Sequence, residues 1–190
     1  MLGWRLNRVA LALSRGAVIA YPTDTIWGLG CDPLNARSVA RIQNIKNRPL
    51  GKGLILLGTR PQQFSAFINP SFNTRFIEQL KQQQDKPTTW LVPVSSDCPH
   101  WLTGGSNRVA VRVTQKPLIR LLCSASGVPL VSTSANLSGF PVARNRLQVQ
   151  RVFRHAVDFI IDDPLQPSLL NPAATASRIV DLQSGQIIRP

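Results

Sequence analysis

The chain has few of the side chains that build crosslinks and metal centres. Its 190 residues include three cysteines and two histidines. Cys31, Cys98 and Cys123 show no C-x-x-C spacing, and His100 and His155 have no ligand-type neighbours. We therefore expect buried free thiols in a reducing compartment, with neither a disulfide nor a protein-bound metal.

Long apolar runs are also lacking, and none approaches the roughly 20 residues that a membrane span needs. The N-terminal segment faintly resembles a signal peptide, but Arg8 and Arg15 interrupt it and no small-residue cleavage site follows. The hydrophobic fraction of 43% and a mean hydropathy of −0.01 indicate a folded globular chain. We expect a cytoplasmic protein without a membrane partner, folded as one domain over residues 1–190.

Acidic residues are scarce, since nine Asp and Glu face 22 Lys and Arg and the net charge is +13. Such an excess suits an anionic partner. Nucleic acid is one candidate, because a basic surface binds phosphate backbones by counterion release, and a nucleotide is the other. A charge that serves only solubility is the alternative.

Several catalytic signatures are absent from the sequence. There is no GxxxxGK[ST] loop, no GxGxxG, no HExxH and no convincing Ser/His/Asp set. A nucleotide site in this chain must therefore be of another kind.

The segment Val128–Gly139, VPLVSTSANLSG, begins as a buried strand and ends in hydroxyl and amide side chains. Ser132, Thr133, Ser134 and Asn136 follow one another too densely for a core. At the carboxyl end of a strand, hydroxyls and free backbone N–H groups suit phosphate oxygens. This loop is predicted to form the floor of a site.

A second polar loop, residues 22–30, follows a predicted strand at residues 17–21. Thr23 and Thr25 supply hydroxyls, and Tyr21 and Trp27 bound the loop with aromatic rings. The composition suits a small-ligand pocket. A turn capped by Asp24 is the alternative.

Three cations cluster at and after the end of a predicted helix that runs from an Asn35 N-cap to about Asn47. They are Lys46, Arg48 and Lys52, just before a predicted strand at residues 54–57. They could complement the helix dipole, which accounts for Lys46 but gives Arg48 and Lys52 no role. A cationic clamp on phosphates accounts for all three.

The remaining pattern alternates strands and helices, which indicates an α/β fold. Arg112 lies in an alternating strand, where it needs solvent or a partner carboxylate. Pro93 places its strand at an edge or a bend. The predicted elements are helices at 4–15, 61–84 in two pieces, 117–125 and 144–154, strands at 90–94, 108–113 and 157–161, and a hairpin over 178–188.

Four ordered segments resemble the threonylcarbamoyl-AMP synthase family, YrdC/TsaC, in its short bacterial form. They are YPTDTIWGLG at 21–30, KNRP with GLILL at 46–57, AVRVTQKPL at 110–118 and VSTSANLSG at 131–139. The similarity implies a single-domain twisted mixed α/β sheet flanked by helices, with a deep basic cavity. It also implies that L-threonine, bicarbonate or CO2 and ATP with Mg²⁺ form threonylcarbamoyl-AMP and pyrophosphate. A tRNA threonylcarbamoyltransferase complex would then modify adenosine 37 of tRNA.

The resemblance also implies roles for individual residues. It assigns threonine contacts to Thr23, Thr25, Arg112 and Ser177, with Arg112 opposite the carboxylate. Phosphate contacts and catalysis fall to Lys46, Arg48 and Lys52, and nucleotide contacts to Ser132, Thr133, Ser134, Asn136 and Arg189.

Two departures from the family pattern stand out. Gln84-Asp85-Lys86-Pro87-Thr88-Thr89 replaces W-P-G-P-x-T, which puts that region's ligand contact in question, and Trp27 replaces Tyr or Phe. The competing interpretation is a basic protein that binds tRNA, rRNA or double-stranded RNA without catalysis. A third is a carbamoyl-handling relative of the YrdC-like domain in hydrogenase maturation proteins, whose zinc-finger and acylphosphatase regions are not seen here.

Overall fold

A computed structural model describes residues 2–49, 51–163 and 175–190. In these ranges nine strands form one mixed sheet in the order β7-β1-β2-β6-β3-β5-β4-β8-β9. The strands are β1 Ile19–Pro22, β2 Trp27–Gly30, β3 Ile55–Gly58, β4 Thr88–Pro93, β5 Arg108–Val113, β6 Leu130–Ser134, β7 Phe159–Ile160, β8 Arg178–Asp181 and β9 Ile187–Arg189. The pairs β1/β7, β3/β5 and β4/β8 are parallel, and the other five pairs are antiparallel.

Capping residues set the bounds of several helices. Asn35 and Asn145 accept backbone N–H groups at the starts of α2 and α6, which confirms the predicted Asn35 cap. Pro117 begins α5, and Gly127 ends it with φ of 76°. The helices are α1 Leu2–Ser14, α2 Ala36–Ile45, α3 Asn73–Lys81, α4 His100–Thr103, α5 Pro117–Ser126 and α6 Arg146–Phe153, with 3₁₀ turns at Pro61–Phe64 and Pro70–Phe72.

The sheet is covered on both faces, because successive strand residues point to opposite sides. On one face, Tyr21, Leu57 and Leu130 pack with α1 and α5. On the other face, Ala20, Leu56 and Val131 pack with α2, α3 and α6. The predicted fold, an α/β mixed sheet flanked by helices, is confirmed.

Two predictions about the strands were wrong. Residues 27–30, which the sequence pattern places in a loop, form β2. Gly30 has no Cβ, and this lets β2 approach Tyr21 of β1 and Val131 of β6 closely. Of the two alternatives for the strand with Pro93, an edge or a bend, the edge is wrong, since β4 lies between β5 and β8 and Pro93 is its last residue. The predicted C-terminal hairpin is confirmed as β8 and β9.

All three cysteines are free thiols, and Cys31 and Cys123 are buried, while Cys98 is half-buried. Burial raises the pKa of Cys98 to about 11 and that of Cys123 to about 12. We find no helix in the described ranges that is long and apolar enough to cross a membrane.

Candidate active site

A cavity of about 110 Å³ opens where β2, β3, β5 and β6 meet the two C-terminal strands. Guanidinium and hydroxyl groups make up much of its wall. The lining residues are Thr23, Thr25, Ile26, Trp27, Gly28, Arg48, Ile55, Arg112, Ser132, Thr133, Ser134, Ala176, Ser177 and Arg189.

The turn between β1 and β2 forms one wall and is organised by Thr23. Its hydroxyl accepts the backbone N–H of Thr25 at 3.1 Å and of Ile26 at 3.2 Å, and it donates to the Ile26 carbonyl at 2.7 Å. The hydroxyls of Thr23 and Thr25 also lie within hydrogen-bond distance of each other, at 2.9 Å. The Asp24-capped turn, considered as the alternative, is wrong, since Thr23 caps it.

Arg112 reaches the cavity from β5 and is only 5% exposed. Its Nη2 donates to Asp24 Oδ1, and its Nη1 donates to the Thr25 hydroxyl at 3.3 Å. The expectation that a buried Arg112 requires a carboxylate partner is confirmed. Its Nε and the indole N–H of Trp27 are buried donors without a hydrogen-bond partner in the described part of the chain.

Lys46 caps the end of α2 and is 1% exposed. Its ammonium donates to the Ser134 carbonyl, to the Asn136 carbonyl at 2.6 Å and to Asn136 Oδ1 at 3.0 Å. Burial, and then the neighbouring charge of Arg48, lowers the pKa of Lys46 to about 8. The cation thus lies directly under the turn that follows β6.

Arg48 lines the cavity and is held by its own loop. Its Nη2 donates to the Gly53 carbonyl at 2.7 Å, and burial lowers its pKa. Lys52, by contrast, is exposed and is not part of the cavity wall.

The C-terminal wall comes from Ser177 and Arg189. The Arg189 guanidinium donates to the Ser177 carbonyl through Nη2 at 2.6 Å and through Nε at 3.0 Å. The Ser177 hydroxyl lies 2.8 Å from that of Thr89 in β4. Burial, and then the charge of Arg112, lowers the pKa of Arg189, so two guanidinium groups act on the same small space.

Most of the sequence-predicted site residues converge on this cavity. The lining includes Thr23, Thr25, Arg48, Arg112, Ser132, Thr133, Ser134, Ser177 and Arg189. Lys46 and Asn136 adjoin it through Ser134, whose hydroxyl donates to Asn136 Oδ1 at 2.6 Å. Of the twelve predicted residues, Lys52 alone has a side chain that neither lines the cavity nor bonds to a lining residue within the described ranges, although its backbone carbonyl accepts the Arg48 Nε–H at 3.4 Å.

Sequence reasoning missed Asp24 as a partner of Arg112 and Ile55 as a wall residue. The position of Asp24 between two threonines of the predicted pocket was the signal that pointed to it. Ile55 has no such signal, because an apolar residue at the start of a strand has the same sequence pattern whether it lines a cavity or packs in the core. Together the cations and hydroxyls can hold an anionic ligand and stabilise negative charge that develops on it.

The sequence of the chain matches the Sua5/YciO/YrdC family model, described as telomere recombination, over residues 11–190. A protein of Stutzerimonas stutzeri named threonylcarbamoyl-AMP synthase is 43% identical over the full length of both chains. A protein of the same name from Pseudomonas fluorescens is 45% identical, over 98% of this chain and 97% of its own.

Solved structures show the same architecture. The crystal structure of P. abyssi Sua5 complexed with L-threonine is 27% identical with a TM-score of 0.85, covering 99% of this chain and 54% of that one. E. coli YciO, at 22% identity and a TM-score of 0.81 over 98% of this chain and 89% of its own, supports the fold alone. The family-model match and the full-length relatives lead to one assignment: the chain belongs to the Sua5/YciO/YrdC family.

Proposed function

We propose that this protein is a threonylcarbamoyl-AMP synthase, which joins L-threonine, bicarbonate or CO2 and ATP into threonylcarbamoyl-AMP and releases pyrophosphate. Relatives with that name, 43–45% identical over nearly their whole length, support the proposal. The observation that carries it is the cavity in which Arg48, Arg112 and Arg189 surround a small space with the hydroxyls of β6.

The amino acid would occupy the part of the cavity between the β1–β2 turn and β5. Arg112 would receive the threonine carboxylate, because its side chain lines the cavity and each of its Nη atoms keeps one N–H beyond the bonds to Thr25 and Asp24. Thr23, Thr25 and Ser177 would supply hydroxyl contacts. A space of about 110 Å³ suits an amino acid and is too small for a whole nucleotide.

The nucleotide would therefore extend from the cavity toward the turn after β6. Arg48 and Arg189 would contact phosphates, since arginine binds phosphate oxygens bidentately. Ser132, Thr133 and Ser134 would add hydroxyl donors. Asn136 and Lys46 would act from behind the turn, while the exposed Lys52 would meet only an outlying part of the ligand.

Mg²⁺ would arrive with ATP and would neutralise charge on its phosphates. The cavity wall contains no carboxylate, and no cluster of three metal-ligating side chains occurs in the described ranges. These residues fit an ion held by phosphate oxygens and water, as Mg²⁺ commonly is at nucleotide sites.

In the proposed reaction, the ammonium group of threonine releases two protons to solvent as its nitrogen adds to CO2 and forms the carbamate. A carbamate oxygen then attacks the α-phosphorus, and pyrophosphate leaves. The substrate groups must be held in line, and the negative charge on the phosphates must be stabilised. The arginines of the cavity suit both tasks. No side chain of the cavity wall stands out as a general base.

The test is to incubate the purified protein with ATP, L-threonine and bicarbonate and to measure pyrophosphate and the threonine-dependent AMP derivative. We expect both products, and less of each when serine replaces threonine. Absence of threonine-dependent products would refute the proposal.

The product would pass to a tRNA threonylcarbamoyltransferase complex that modifies adenosine 37. Binding of tRNA or double-stranded RNA to this chain is the runner-up role. RNA binding that falls steeply with salt and is not displaced by ATP would favour it. Thermal stabilisation by ATP or threonine would favour the enzyme.

A further inference from the structure

We propose that Asp24 is a specificity residue of the amino-acid site, whose carboxylate receives the α-ammonium group of the substrate while Arg112 receives the α-carboxylate. The inference rests on the proposed function, because it assumes that L-threonine binds beside Arg112. The ligand would be a zwitterion, whose two charges match those of an ion pair at the edge of the cavity: Arg112 lines the wall, and Asp24 bonds to it from the adjoining turn.

The charges around the cavity leave Asp24 as the carboxylate for this task. An ammonium group inserted among three arginines is repelled unless an anion lies within contact distance. All nine acids of the chain lie in the described ranges. Asp24 is the only one of them with a described hydrogen bond to a side chain that lines the cavity.

The other paired acids are engaged elsewhere with cations outside the cavity wall. These pairs are Asp158 with Arg41, Asp181 with Arg108, Asp163 with Lys116, Asp162 with Arg146 and Asp85 with Arg178. None of these five cations is a lining residue. A substrate ammonium therefore has no comparable second acceptor in the described site.

Both members of the ion pair keep hydrogen-bonding capacity for a ligand. Asp24 uses Oδ1 toward Arg112, and its Oδ2 accepts no hydrogen bond from the described residues. Arg112 uses one N–H of Nη1 and one of Nη2, which leaves a second N–H on each nitrogen, and its side chain lines the cavity. A zwitterion can thus bind alongside the pair, with its carboxylate on Arg112 and its ammonium on Asp24, without breaking the existing bond.

The burial of the two side chains fits this division of tasks. The Arg112 side chain is 6% exposed and fixed in the sheet, whereas that of Asp24 is 31% exposed in the turn. Asp24 also lies between Thr23 and Thr25, which both line the cavity. The partly exposed carboxylate is accessible to an incoming ligand while it keeps its bond to Arg112.

The experiment compares Asp24→Asn with the wild type, using L-threonine and its analogue without the amino group, 3-hydroxybutanoate, as a competitive inhibitor. We expect the KM for threonine to rise about tenfold or more, as for loss of a charged hydrogen bond. The KM for ATP and the inhibition constant of 3-hydroxybutanoate should stay within about twofold. Asp24→Glu, which keeps the charge, should retain part of the preference for threonine.

Asp97→Asn is the matched control, because Asp97 is exposed in a loop away from the cavity wall, and it should behave as the wild type. Equal weakening of threonine and 3-hydroxybutanoate in Asp24→Asn would overturn the inference, since Asp24 would then only orient Arg112. Unchanged or tighter threonine binding would also overturn it.

Failure of the inference is distinguishable from failure of the proposed function. If the wild type neither binds threonine nor forms threonine-dependent products, the proposed function fails. If the wild type is active and Asp24→Asn prefers threonine over 3-hydroxybutanoate as strongly as the wild type does, only the role of Asp24 fails. Should Asp24→Asn not fold, Asp24→Glu carries the test, and a loss of all preference for threonine in that folded, ATP-binding variant overturns the inference.

Discussion

Lys46 holds Asn136 at two atoms, with its ammonium nitrogen 2.6 Å from the backbone oxygen and 3.0 Å from the side-chain Oδ1. A third bond goes to the Ser134 carbonyl. An ammonium group has three N–H donors, so these acceptors use all of them. In this arrangement Lys46 fixes the turn after β6, and in the proposed site phosphate contact would fall to its neighbour Arg48, which lines the cavity.

Replacing Lys46 by methionine should destabilise the fold as well as the site. The substitution leaves buried carbonyl oxygens without a donor, and we expect the free energy of unfolding to fall by about 2 to 4 kcal/mol. Urea unfolding measures this loss. Lys52→Met is the control, because Lys52 is exposed, and its effect should stay within about 0.5 kcal/mol. Equal stability of the two variants would contradict the role assigned to Lys46.

The lowered pKa of Lys46 predicts a pH dependence of stability. Its folded-state pKa is about 8, against 10.5 for an ordinary lysine. Between these values the unfolded chain binds more protons than the folded one, so the free energy of unfolding rises with pH across this window. We expect that rise in the wild type relative to Lys46→Met, measured by urea unfolding from pH 7 to about 10.5. A difference between the two proteins that does not change with pH would contradict the prediction.

Charge on Lys46 should also matter for the nucleotide. As the pH rises through about 8, Lys46 loses its proton and one of its three donors to the turn. We expect ATP affinity, measured by calorimetry, to fall over this interval in the wild type. An ATP affinity that stays constant up to pH 9 would contradict this role of Lys46.

Arg48→Ala should remove the activity while the protein remains folded. Arg48 lines the cavity, and loss of one donor to developing charge typically lowers turnover about 100-fold or more. Pyrophosphate release measures the loss, and circular dichroism verifies the fold. Arg37→Ala, an exposed arginine of α2, serves as the control. Turnover of Arg48→Ala equal to that control would exclude Arg48 from the site.

Local sequence signals predicted the parts of the fold that depend on near neighbours. Asn35 caps α2 through Ser38, three residues away, and the hairpin β8–β9 closes over a short turn. Such contacts leave patterns in sequence. The residues of the two polar loops were also predictable, because several hydroxyl side chains follow directly after an apolar strand in the sequence.

What the sequence left open depends on contacts between distant segments. Asp24 and Arg112 are 88 positions apart, and Lys46 and Asn136 are 90 apart. Whether a cation points at a ligand or at a carbonyl depends on which strands become neighbours. Gly30 was misread for a similar reason, since glycine marks both loops and strands that approach other backbone closely.

Substitution by alanine should affect stability at one glycine of β2 and substrate binding at another. A Cβ on Gly30 would lie 2.5 Å from the Val131 carbonyl and 2.7 Å from the Tyr21 ring, so Gly30→Ala forces the sheet apart. A Cβ on Gly28 would meet Ser132, Thr133 and Thr23 at 3.4 Å, which is ordinary contact, but it would fill part of the cavity. We expect Gly30→Ala to lower the free energy of unfolding by about 1 to 3 kcal/mol, while Gly28→Ala stays folded and raises the KM for threonine. Thermal unfolding and steady-state kinetics separate the two effects, and a Gly28→Ala enzyme with unchanged KM would mean that the substrate does not reach β2.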